Sequence, residues 1–300
     1  MQERTKYKCI ILLFRGSCLI DIVPGTERVY GVTTLQSNLF LLRANGIDVH
    51  TTTSDYSLLC RMPLTGLRGH EWNDLTSSTL HKSLYASDYV EQRILVVGLG
   101  GSVRQWMVQD CPCGVSVTPD DDALLVTCTF SRQLRELSLD RGDWLRCVKL
   151  CPDIQRPLHA VKLTNGHYAV SHSSVRGLPG QHRVCVVDSA GSVLRSYGAK
   201  SGSAVGQLDL PCHLGTDKGD FVFVADSSNN RIVLLSPATQ LVQHYVGSEF
   251  RPRRLHLEHG TGRLYVGELG NRILVVHLND DSTPLHCPTI RLHARHTAQA

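Results

Sequence analysis

The side chains best suited to bind an anionic partner form one short basic run. Arg251, Arg253 and Arg254 are almost consecutive, and His256 follows two positions later. Guanidinium groups pair with phosphate and can stack on nucleobases, so this run is the best candidate for contacts with single-stranded RNA. The whole chain offers this function little support, because its net charge is only +4 and aromatic residues make up 6% of it.

The eleven cysteines form no recognisable metal-binding or disulfide pattern. Their closest pairs are Cys111-x-Cys113 and Cys147-x3-Cys151, and no partnering histidine pair follows at zinc-finger spacing. An odd number of scattered cysteines is typical of free thiols in a reducing compartment. We therefore predict a cytoplasmic protein with no metal and no cofactor.

Acidic and basic residues also recur in pairs that could support acid–base chemistry. The pairs are Asp88 with Arg93, Asp226 with Arg231, and Glu268 with Arg272. Because they recur at corresponding positions of similar segments, we interpret them as structural. A carboxylate at such a position can accept amide hydrogens of a turn and pair with an arginine across a hairpin.

The composition limits the class of protein that must position these residues. Of 300 residues, 42% are hydrophobic and 19% are charged, with 31 basic and 27 acidic side chains. These values exclude general disorder, a collagen-like chain and a strongly cationic nucleic-acid binder. The longest apolar run, residues 9–14, is far too short to cross a bilayer, so we predict no membrane partner.

A strand–turn–strand pattern recurs along the chain with a period of roughly 45 residues. The clearest copies lie at 221–235, 262–276 and 84–97, and fainter copies lie at 124–134, 168–185 and 39–49. In the clear copies an arginine opens the return strand. Six copies of this period predict six propeller blades, because four short strands of this total length form one blade.

A proline precedes four of these copies at a nearly constant distance. The prolines are Pro112, Pro157, Pro211 and Pro252. Each opens a run of the form Pro-x-x-apolar, and proline is tolerated as the first residue of a strand. The prolines therefore predict where the first strand of each of these blades begins.

The best copy resembles the NHL repeat. It reads Val-x-Val-Ala-Asp-x4-Arg-Ile over residues 222–232, follows Pro211, and is preceded by a glycine-rich stretch at 202–207. The resemblance covers roughly residues 80–290. This part of the chain is similar to the propeller region of TRIM/NHL proteins, without a RING. It implies an all-β fold, a six-bladed β-propeller of four-stranded antiparallel blades.

Ring closure defines the predicted domain boundaries. We place one propeller at 18–290, an N-terminal segment at 1–17 and a loosely ordered C-terminal tail at 291–300. Either residues 18–23 or residues 29–32 would add an outer strand to the last blade. Such a strand closes the ring and removes the exposed sheet edges.

The resemblance implies several functions, and we predict a non-catalytic module that binds another protein. Many NHL propellers select substrates within ubiquitin-ligase proteins, so a scaffold or ubiquitination role is expected. The longest predicted insertion, the loop 173–182, contains Arg176 and His182. We predict that these residues contact the partner together with Arg251, Arg253, Arg254 and His256, because loops carry recognition in propellers.

Two other functions stay open. One is single-stranded RNA binding through the basic run, and the other is a metal-dependent hydrolase or lyase of the lactonase or amidating-lyase kind. In amidating-lyase relatives, zinc-binding histidines directly follow the blade-opening proline. Those positions here hold Cys113, Leu158, Cys212 and Arg253. His159 and His213 come one residue later, where regular strand alternation turns them to the opposite side as packing residues.

Overall fold

The chain forms six antiparallel sheets of four strands each. The computed structural model describes residues 20–23, 27–53, 55–64, 71–174, 180–246, 250–268 and 270–278. The predicted segments 1–17 and 291–300 lie outside these residues. The predicted fold class, a six-bladed all-β propeller, is confirmed.

Each blade is a meander of consecutive strands, and the sixth takes its outer strand from the N-terminal region. Blade 1 contains β2 (Gly31–Leu35), β3 (Asn38–Arg43), β4 (Gly46–Thr51) and β5 (Leu58–Pro63). Blade 2 contains β6 (Trp72–Ser78), β7 (Ser83–Asp88), β8 (Arg93–Gly98) and β9 (Val103–Met107). Blade 3 contains β10 (Pro112–Val117), β11 (Ala123–Cys128), β12 (Gln133–Ser138) and β13 (Trp144–Lys149).

The second half of the ring repeats this order. Blade 4 contains β14 (Pro157–Lys162), β15 (Tyr168–His172), β16 (Gln181–Val187) and β17 (Val193–Lys200). Blade 5 contains β18 (Pro211–Thr216), β19 (Val222–Asp226), β20 (Arg231–Leu235) and β21 (Leu241–Val246), with a 3-10 turn at Ser227–Asn229. Blade 6 contains β22 (Pro252–Glu258), β23 (Arg263–Glu268), β24 (Ile273–His277) and β1 (Ile20–Val23).

The N-terminal strand closes the ring. Strand β1 pairs antiparallel with β24, with Ile20 opposite Val276 and Val23 opposite Ile273. The first of the two segments considered from the sequence therefore supplies the closing strand. The second segment instead leads into β2, the innermost strand of blade 1. Blades 1 and 6 then share an apolar cluster that includes Val32 and Tyr265, so closure buries both faces.

Apolar side chains fill the spaces between successive blades. Phe223 and Leu234 of blade 5, for example, pack in one cluster with Leu264 and Val276 of blade 6. Strand β19 is buried along its whole length because it has a neighbouring blade on each side. This burial explains the nearly continuous apolar runs of the sequence, since a blade is not solvated on either face.

The repeated acid–arginine pairs lie across the hairpins that join the second and third strands. Arg93 Nη2 is 3.0 Å from Asp88 Oδ2, and Arg231 Nε is 2.6 Å from Asp226 Oδ2. In blade 6 the corresponding contact is made by Arg272 with Glu268, also at 2.6 Å. Asp88 further accepts amide hydrogens from residues 71 and 91. These contacts tie each hairpin to the connection that leads into its own blade.

The helical content of the described residues is limited to the 3-10 turn in blade 5. No helix among those residues has the length and apolarity that a membrane span requires.

Candidate functional site

The innermost strands of blades 2 to 6 each begin with a β-bulge. In blade 4, Pro157 pairs with His172 and His159 pairs with Ser171, so Leu158 is an extra residue without its own partner. Corresponding register shifts occur at the starts of β6, β10, β18 and β22. A bulge redirects the side chains beside it, and such bulges often border active sites.

The residue after each bulge occupies a position that blade 1, which has no bulge, fills with Gly31. In blades 2 to 6 these residues are Asp74, Gly114, His159, His213 and Arg254. In four blades the residue at this position and the extra residue before it both line one axial cavity, as Leu158 and His159 do. The expectation that the two histidines turn away from their preceding residues is therefore wrong, because the bulge interrupts regular alternation.

Asp74 brings the two histidines together at the centre of the ring. His213 Nε2 lies 3.1 Å from both carboxylate oxygens of Asp74, and His159 Nε2 lies 3.2 Å from Oδ2. The backbone N–H groups of Leu75 and Val115 also donate to this carboxylate, at 2.9 and 3.0 Å. Asp74 and His159 are each 1% exposed and His213 is 6% exposed, so the group is isolated from bulk water.

The hydrogen bonds around the two rings determine which nitrogens carry protons. The backbone N–H of Leu255 donates to His213 Nδ1 at 3.3 Å, so the proton of the neutral ring is on Nε2 and points at Asp74. His159 Nε2 faces two acceptors, the Asp74 carboxylate and the carbonyl of Val115 at 3.3 Å, and it therefore also carries a proton. The two rings lie 3.7 Å apart, centroid to centroid.

This arrangement leaves one basic nitrogen without a partner. With its single proton on Nε2, the His159 ring has a lone pair on Nδ1, and that buried atom has no hydrogen-bond partner among the described residues. Buried imidazole nitrogens are normally paired, so an unpaired one beside a cavity requires an explanation.

Burial and mutual attraction determine the charges of the group. Burial raises the pKa of the Asp74 carboxyl, but attraction by His213 and hydrogen bonds from both imidazoles outweigh it and hold the pKa well below its usual range. Burial lowers the pKa of His213 to about 4, and repulsion by His159 acts in the same direction. At neutral pH, Asp74 is therefore an anion and His213 is uncharged.

Arg254, which belongs to blade 6, completes the group of polar side chains at the axis. Its Nε donates to the carbonyl of Tyr30 at 2.7 Å, and Nη1 donates to the carbonyl of Arg253 at 2.8 Å. Its Nη2 donates to the backbone carbonyl of Asn73 and, at 3.0 Å, to the Asn73 side chain. Nε also lies 3.6 Å from Asp74 Oδ1. The guanidinium thus joins blades 1, 2 and 6 and supports the negative charge of Asp74.

Two glycines provide the space that these side chains occupy. A Cβ on Gly114 would lie 2.6 Å from His159 Cδ2 and 2.8 Å from the carbonyl of Leu158. A Cβ on Gly31 would lie 2.3 Å from Leu75 Cβ. All three distances are far below a van der Waals contact. Blades 1 and 3 therefore need glycine at the shared position, because side chains from other blades fill the axis.

A cavity of about 1310 Å³ opens above this centre, at the end of the ring where the innermost strands begin. Asp74, His159, His213 and Arg254 contribute to its wall. Its entrance is formed by residues from blades 1, 2, 4, 5 and 6, among them Arg28, Glu71, Gln181, Ser228 and Arg251. The volume is larger than the 300–1,000 Å³ of typical small-molecule sites, so a ligand of substantial size fits.

The Asp74, His159 and His213 side chains also offer the donor types of a metal site, with their ligand atoms within 4.8 Å of one another. Coordination through Nε2 requires a lone pair on that atom in both rings. In His213 the N–H of Leu255 holds the lone pair on Nδ1 and the proton on Nε2. The Arg254 guanidinium at 3.6 Å would also repel a cation. The donor set in this hydrogen-bonding arrangement therefore does not fit a metal ion.

Four of the residues predicted to contact a partner lie on this cavity. Besides Arg254, they are His182, Arg251 and Arg253, so the described end of the loop 173–182 and the basic run do meet at one face. His182 Nδ1 accepts from the N–H of Leu210 at 2.9 Å, and its Nε2 lies 3.1 Å from Ser174 Oγ. These contacts connect the described end of the loop to blade 5.

The other predicted contact residues are placed differently. Arg254 is only 9% exposed and bonds to the interior of the ring, so it is not a surface contact. His256 lies two residues further along β22, outside the cavity wall, where its Nε2 is 2.8 Å from Thr34 Oγ1. Burial lowers the pKa of His256 to about 3, so it is uncharged at neutral pH. Arg176 lies outside the described residues.

Cys113 and Cys212 line the same cavity but are not activated nucleophiles. Burial raises the pKa of both thiols, so they stay protonated at neutral pH. The Cys212 thiol contacts the carbonyls of Ala225 and Pro252 at 3.6 Å. A cysteine nucleophile requires the thiolate, and these surroundings oppose its formation.

The sequence interpretation overlooked the centre of the site. The sequence prediction does not include Asp74, and it assigns His159 and His213 to packing. A signal was present, because both histidines occur two residues after a blade-opening proline, as Pro157-x-His159 and Pro211-x-His213. Equivalent positions in neighbouring blades approach one another around a propeller axis.

Comparison with known proteins supports the fold. No family model matches the chain, and no curated protein matches it. The structure resembles virginiamycin B lyase from Staphylococcus aureus with a TM-score of 0.63 at 11% identity, over 88% of this chain and 100% of that chain. A catalytically inactive histidine-to-alanine variant of that lyase, with quinupristin, gives a TM-score of 0.61 at 11% identity over 88% and 100%. Kuenenia stuttgartiensis hydrazine synthase gives 0.60 at 12% identity over 86% and 98%.

These similarities define the class of the protein as a six-bladed β-propeller. At such low identity they show the fold alone, and because no family model matches, membership of the NHL-repeat family is not confirmed.

Proposed function

We propose that the protein is a propeller enzyme of the lyase or hydrolase kind, with His159 as its general base. The observation that carries this proposal is the unpaired, buried Nδ1 of His159 on the wall of an axial cavity. A histidine with one ring nitrogen hydrogen-bonded to a carboxylate and the other nitrogen free to accept a proton has the arrangement of an Asp–His catalytic pair. A fold neighbour that is a lyase, and whose histidine variant is described as inactive, supports this choice over a purely structural role.

The proton transfer follows from the hydrogen bonds. The lone pair of His159 Nδ1 takes a proton from an acidic C–H group or from a water molecule bound in the cavity. The ring becomes an imidazolium, and Asp74 stabilises it through the existing contact of 3.2 Å. After removal of a C–H proton, the electron pair of that bond forms a double bond as the leaving group departs. After removal of a water proton, the hydroxide oxygen adds to a carbonyl carbon.

In this mechanism Asp74 and His213 are positioning residues. Asp74 holds His159 in the tautomer with the proton on Nε2, and His213 spans Asp74 and the backbone of Leu255. Arg254 lies beside the carboxylate without forming a close pair with it, its Nε being 3.6 Å from Asp74 Oδ1. None of these three groups needs to touch the substrate.

The tautomer can be tested without a substrate. Long-range ¹H–¹⁵N NMR spectra of histidine side chains identify the protonated nitrogen, and at pH 7 we expect it to be Nε2 in both His159 and His213. Asp74→Asn should remove this preference in His159, whereas Asp140→Asn on the surface should not. A proton on Nδ1 of His159 in the unaltered protein would refute its role as the base.

The reaction type is tested with cyclic depsipeptides, lactones and esters, followed by mass spectrometry. Elimination within a ring opens it without a change in mass, whereas hydrolysis adds one water. Activity should disappear in His159→Gln and persist in His244→Gln, because His244 is exposed on an outer strand. A turnover that survives His159→Gln would contradict the proposal.

Protein binding through the entrance of the cavity is a second candidate function. The observation that favours it is that His182 and Arg251, from two separate predicted contact segments, lie on one cavity. A role in ubiquitin-ligase substrate selection and a cytoplasmic location remain predictions of the sequence. Arg251→Glu should abolish capture of a protein partner from a cell extract, whereas Arg141→Glu should not. Capture that is equal in both variants would exclude this entrance as the contact surface.

A further inference from the structure

The axial cavity carries an excess of positive charge. Its wall contains the cationic side chains of Arg28, Arg156, Lys200, Arg251, Arg253 and Arg254. Of these, Arg254 is saturated by neutral acceptors, as described above. Within the described residues, the other five form no ion pair with a carboxylate. Unpaired cations that face one cavity create a local positive potential, which low-dielectric walls strengthen.

The carboxylates of the wall do not neutralise this charge. Asp74 serves the histidines, and Glu268 pairs with Arg272 at 2.6 Å. Asp209 lies 3.1 Å from His182 Nδ1, but that nitrogen accepts from a backbone N–H and so has no proton to share. Glu71 forms no ion pair within the described residues. Asp209 and Glu71 thus oppose five free cations, and the cavity remains positive.

Arg253 occupies the most unusual position among the five cations. It is the extra residue of the blade 6 bulge, half-buried, and its guanidinium has no hydrogen-bond acceptor within the described part of the chain. Burial lowers its pKa, and repulsion by Arg254, Arg28 and Arg251 adds to that effect. Withdrawing a guanidinium from water beside three others is unfavourable unless an anion pairs with it.

Arg253 is also next to the acid–base centre. Its backbone carbonyl lies 3.5 Å from the thiol of Cys212, which directly precedes His213. The following residue is Arg254, whose guanidinium approaches Asp74. An anionic group held by Arg253 would therefore lie on the same wall as His159, with the rest of the molecule inside the cavity.

We infer that the cavity binds a small organic anion, a carboxylate or phosphate compound, through Arg253 with Arg28 and Arg251 beside it. The inference deepens the proposed function. That this anion is the substrate rests on the proposed function. Binding of the anion itself does not depend on catalysis. Arg253 would act as a substrate-positioning residue, because it holds a charged end of the molecule that does not react.

The aromatic side chains of the cavity favour a small anion over single-stranded RNA. RNA binding at such a surface depends on open aromatic faces on which bases stack. Trp72 is only 3% exposed and donates its indole N–H to the carbonyl of Ala44. The Tyr30 ring is covered by Arg28, whose Cζ lies 5.0 Å from the ring centre. Two of the aromatic groups in the wall are therefore already occupied.

Calorimetric titration of the full chain with citrate and, separately, with inorganic pyrophosphate tests the inference. The two probes distinguish recognition of carboxylate from recognition of phosphate. We expect saturable binding of at least one of them to one site, weakened ~10-fold or more in Arg253→Gln, because one charge-assisted hydrogen bond is removed. The matched control is Arg141→Gln, an exposed arginine on blade 3 whose loss should leave the affinity unchanged.

Several results would overturn the inference. They are no saturable binding of either probe, equal weakening in both arginine variants, or tighter binding of a single-stranded RNA oligonucleotide than of either small anion. Arg253→Gln should unfold at the same temperature as the unaltered protein or higher, since it relieves repulsion, so a folding defect cannot explain lost affinity. Anion binding that persists in Asp74→Asn, together with a failed tautomer test, would refute only the proposed enzyme function.

Discussion

Replacing Gly114 by alanine tests whether the axis of the ring is as closely filled as the structure shows. The added Cβ would lie 2.6 Å from His159 Cδ2, 2.8 Å from the Leu158 carbonyl oxygen and 2.9 Å from His159 Cα. Two of these three atoms belong to the backbone of β14 or are bonded directly to it. A side-chain rotation cannot relieve the clash, so the innermost strands of blades 3 and 4 must move apart.

The expected loss of stability can be estimated from two opposing effects. Inserting a methyl group into a filled interior costs about 1–3 kcal/mol. Replacing glycine by alanine restricts the unfolded chain and returns about 0.4–1 kcal/mol. All three contacts of the added Cβ are shorter than 3.0 Å and two of them involve backbone atoms, which places the first effect near its upper limit. We expect a net loss of about 2 kcal/mol in the free energy of unfolding.

Urea denaturation measures this loss, and Gly100→Ala is the matched control. A Cβ on Gly100 meets nothing within 4 Å, so only the effect on the unfolded chain remains and the control should be neutral or slightly more stable. The slope of unfolding free energy against urea should be the same in both variants, because each exposes the same surface on unfolding. In Gly114→Ala the NMR signals of His159 should also shift, since its ring is displaced from Asp74.

One result would refute this reasoning. If Gly114→Ala and Gly100→Ala unfold at the same urea concentration, the axial position of blade 3 tolerates a side chain. The close packing of His159 against blade 3 would then be wrong, and the fixed geometry on which the acid–base centre depends would be lost with it.

Three further predictions concern pH, a hairpin ion pair and metals. His213 has a folded pKa of about 4 and an ordinary pKa of 6.5, so the unfolded chain binds its proton first, and this residue should lower stability by about 3 kcal/mol as the pH drops from 6.5 to 4. His172 and His256, whose pKa values burial lowers to about 3, act in the same direction, so His213→Gln should reduce the fall measured by pH-dependent urea denaturation by about 3 kcal/mol without removing it. Asp226→Asn should lower the free energy of unfolding by about 3 kcal/mol, because it leaves Arg231 buried without its charge partner. The exposed Asp140→Asn should change stability by less than about 0.5 kcal/mol. Equal effects in the two variants would contradict the structural role of the Asp226–Arg231 pair. Dialysis against a chelator, followed by addition of zinc, should leave the melting temperature unchanged. If elemental analysis instead finds one equivalent of retained metal, the tautomer assignment is overturned.

Much of the fold could be predicted from the chain because its signals are local. A strand, a tight turn and a return strand lie within about fifteen residues, and β-branched runs bounded by turn residues identify them. Pairs such as Asp226 with Arg231 face each other across one hairpin, so their spacing predicts their contact. The period of these hairpins, together with the need to bury both faces of each blade, predicts a closed ring of six.

The acid–base centre depends on contacts that local signals do not encode. Asp74 and His213 are 139 positions apart and meet only because the ring closes around a common axis. The bulges also determine the outcome, since the extra residue Leu158 in the innermost strand of blade 4 turns His159 toward the cavity, where simple alternation predicts the reverse. Hairpins and blade number thus follow from the sequence itself, whereas the tertiary structure alone decides which side chains share the axis, which nitrogen remains unpaired and where the unbalanced positive charge collects.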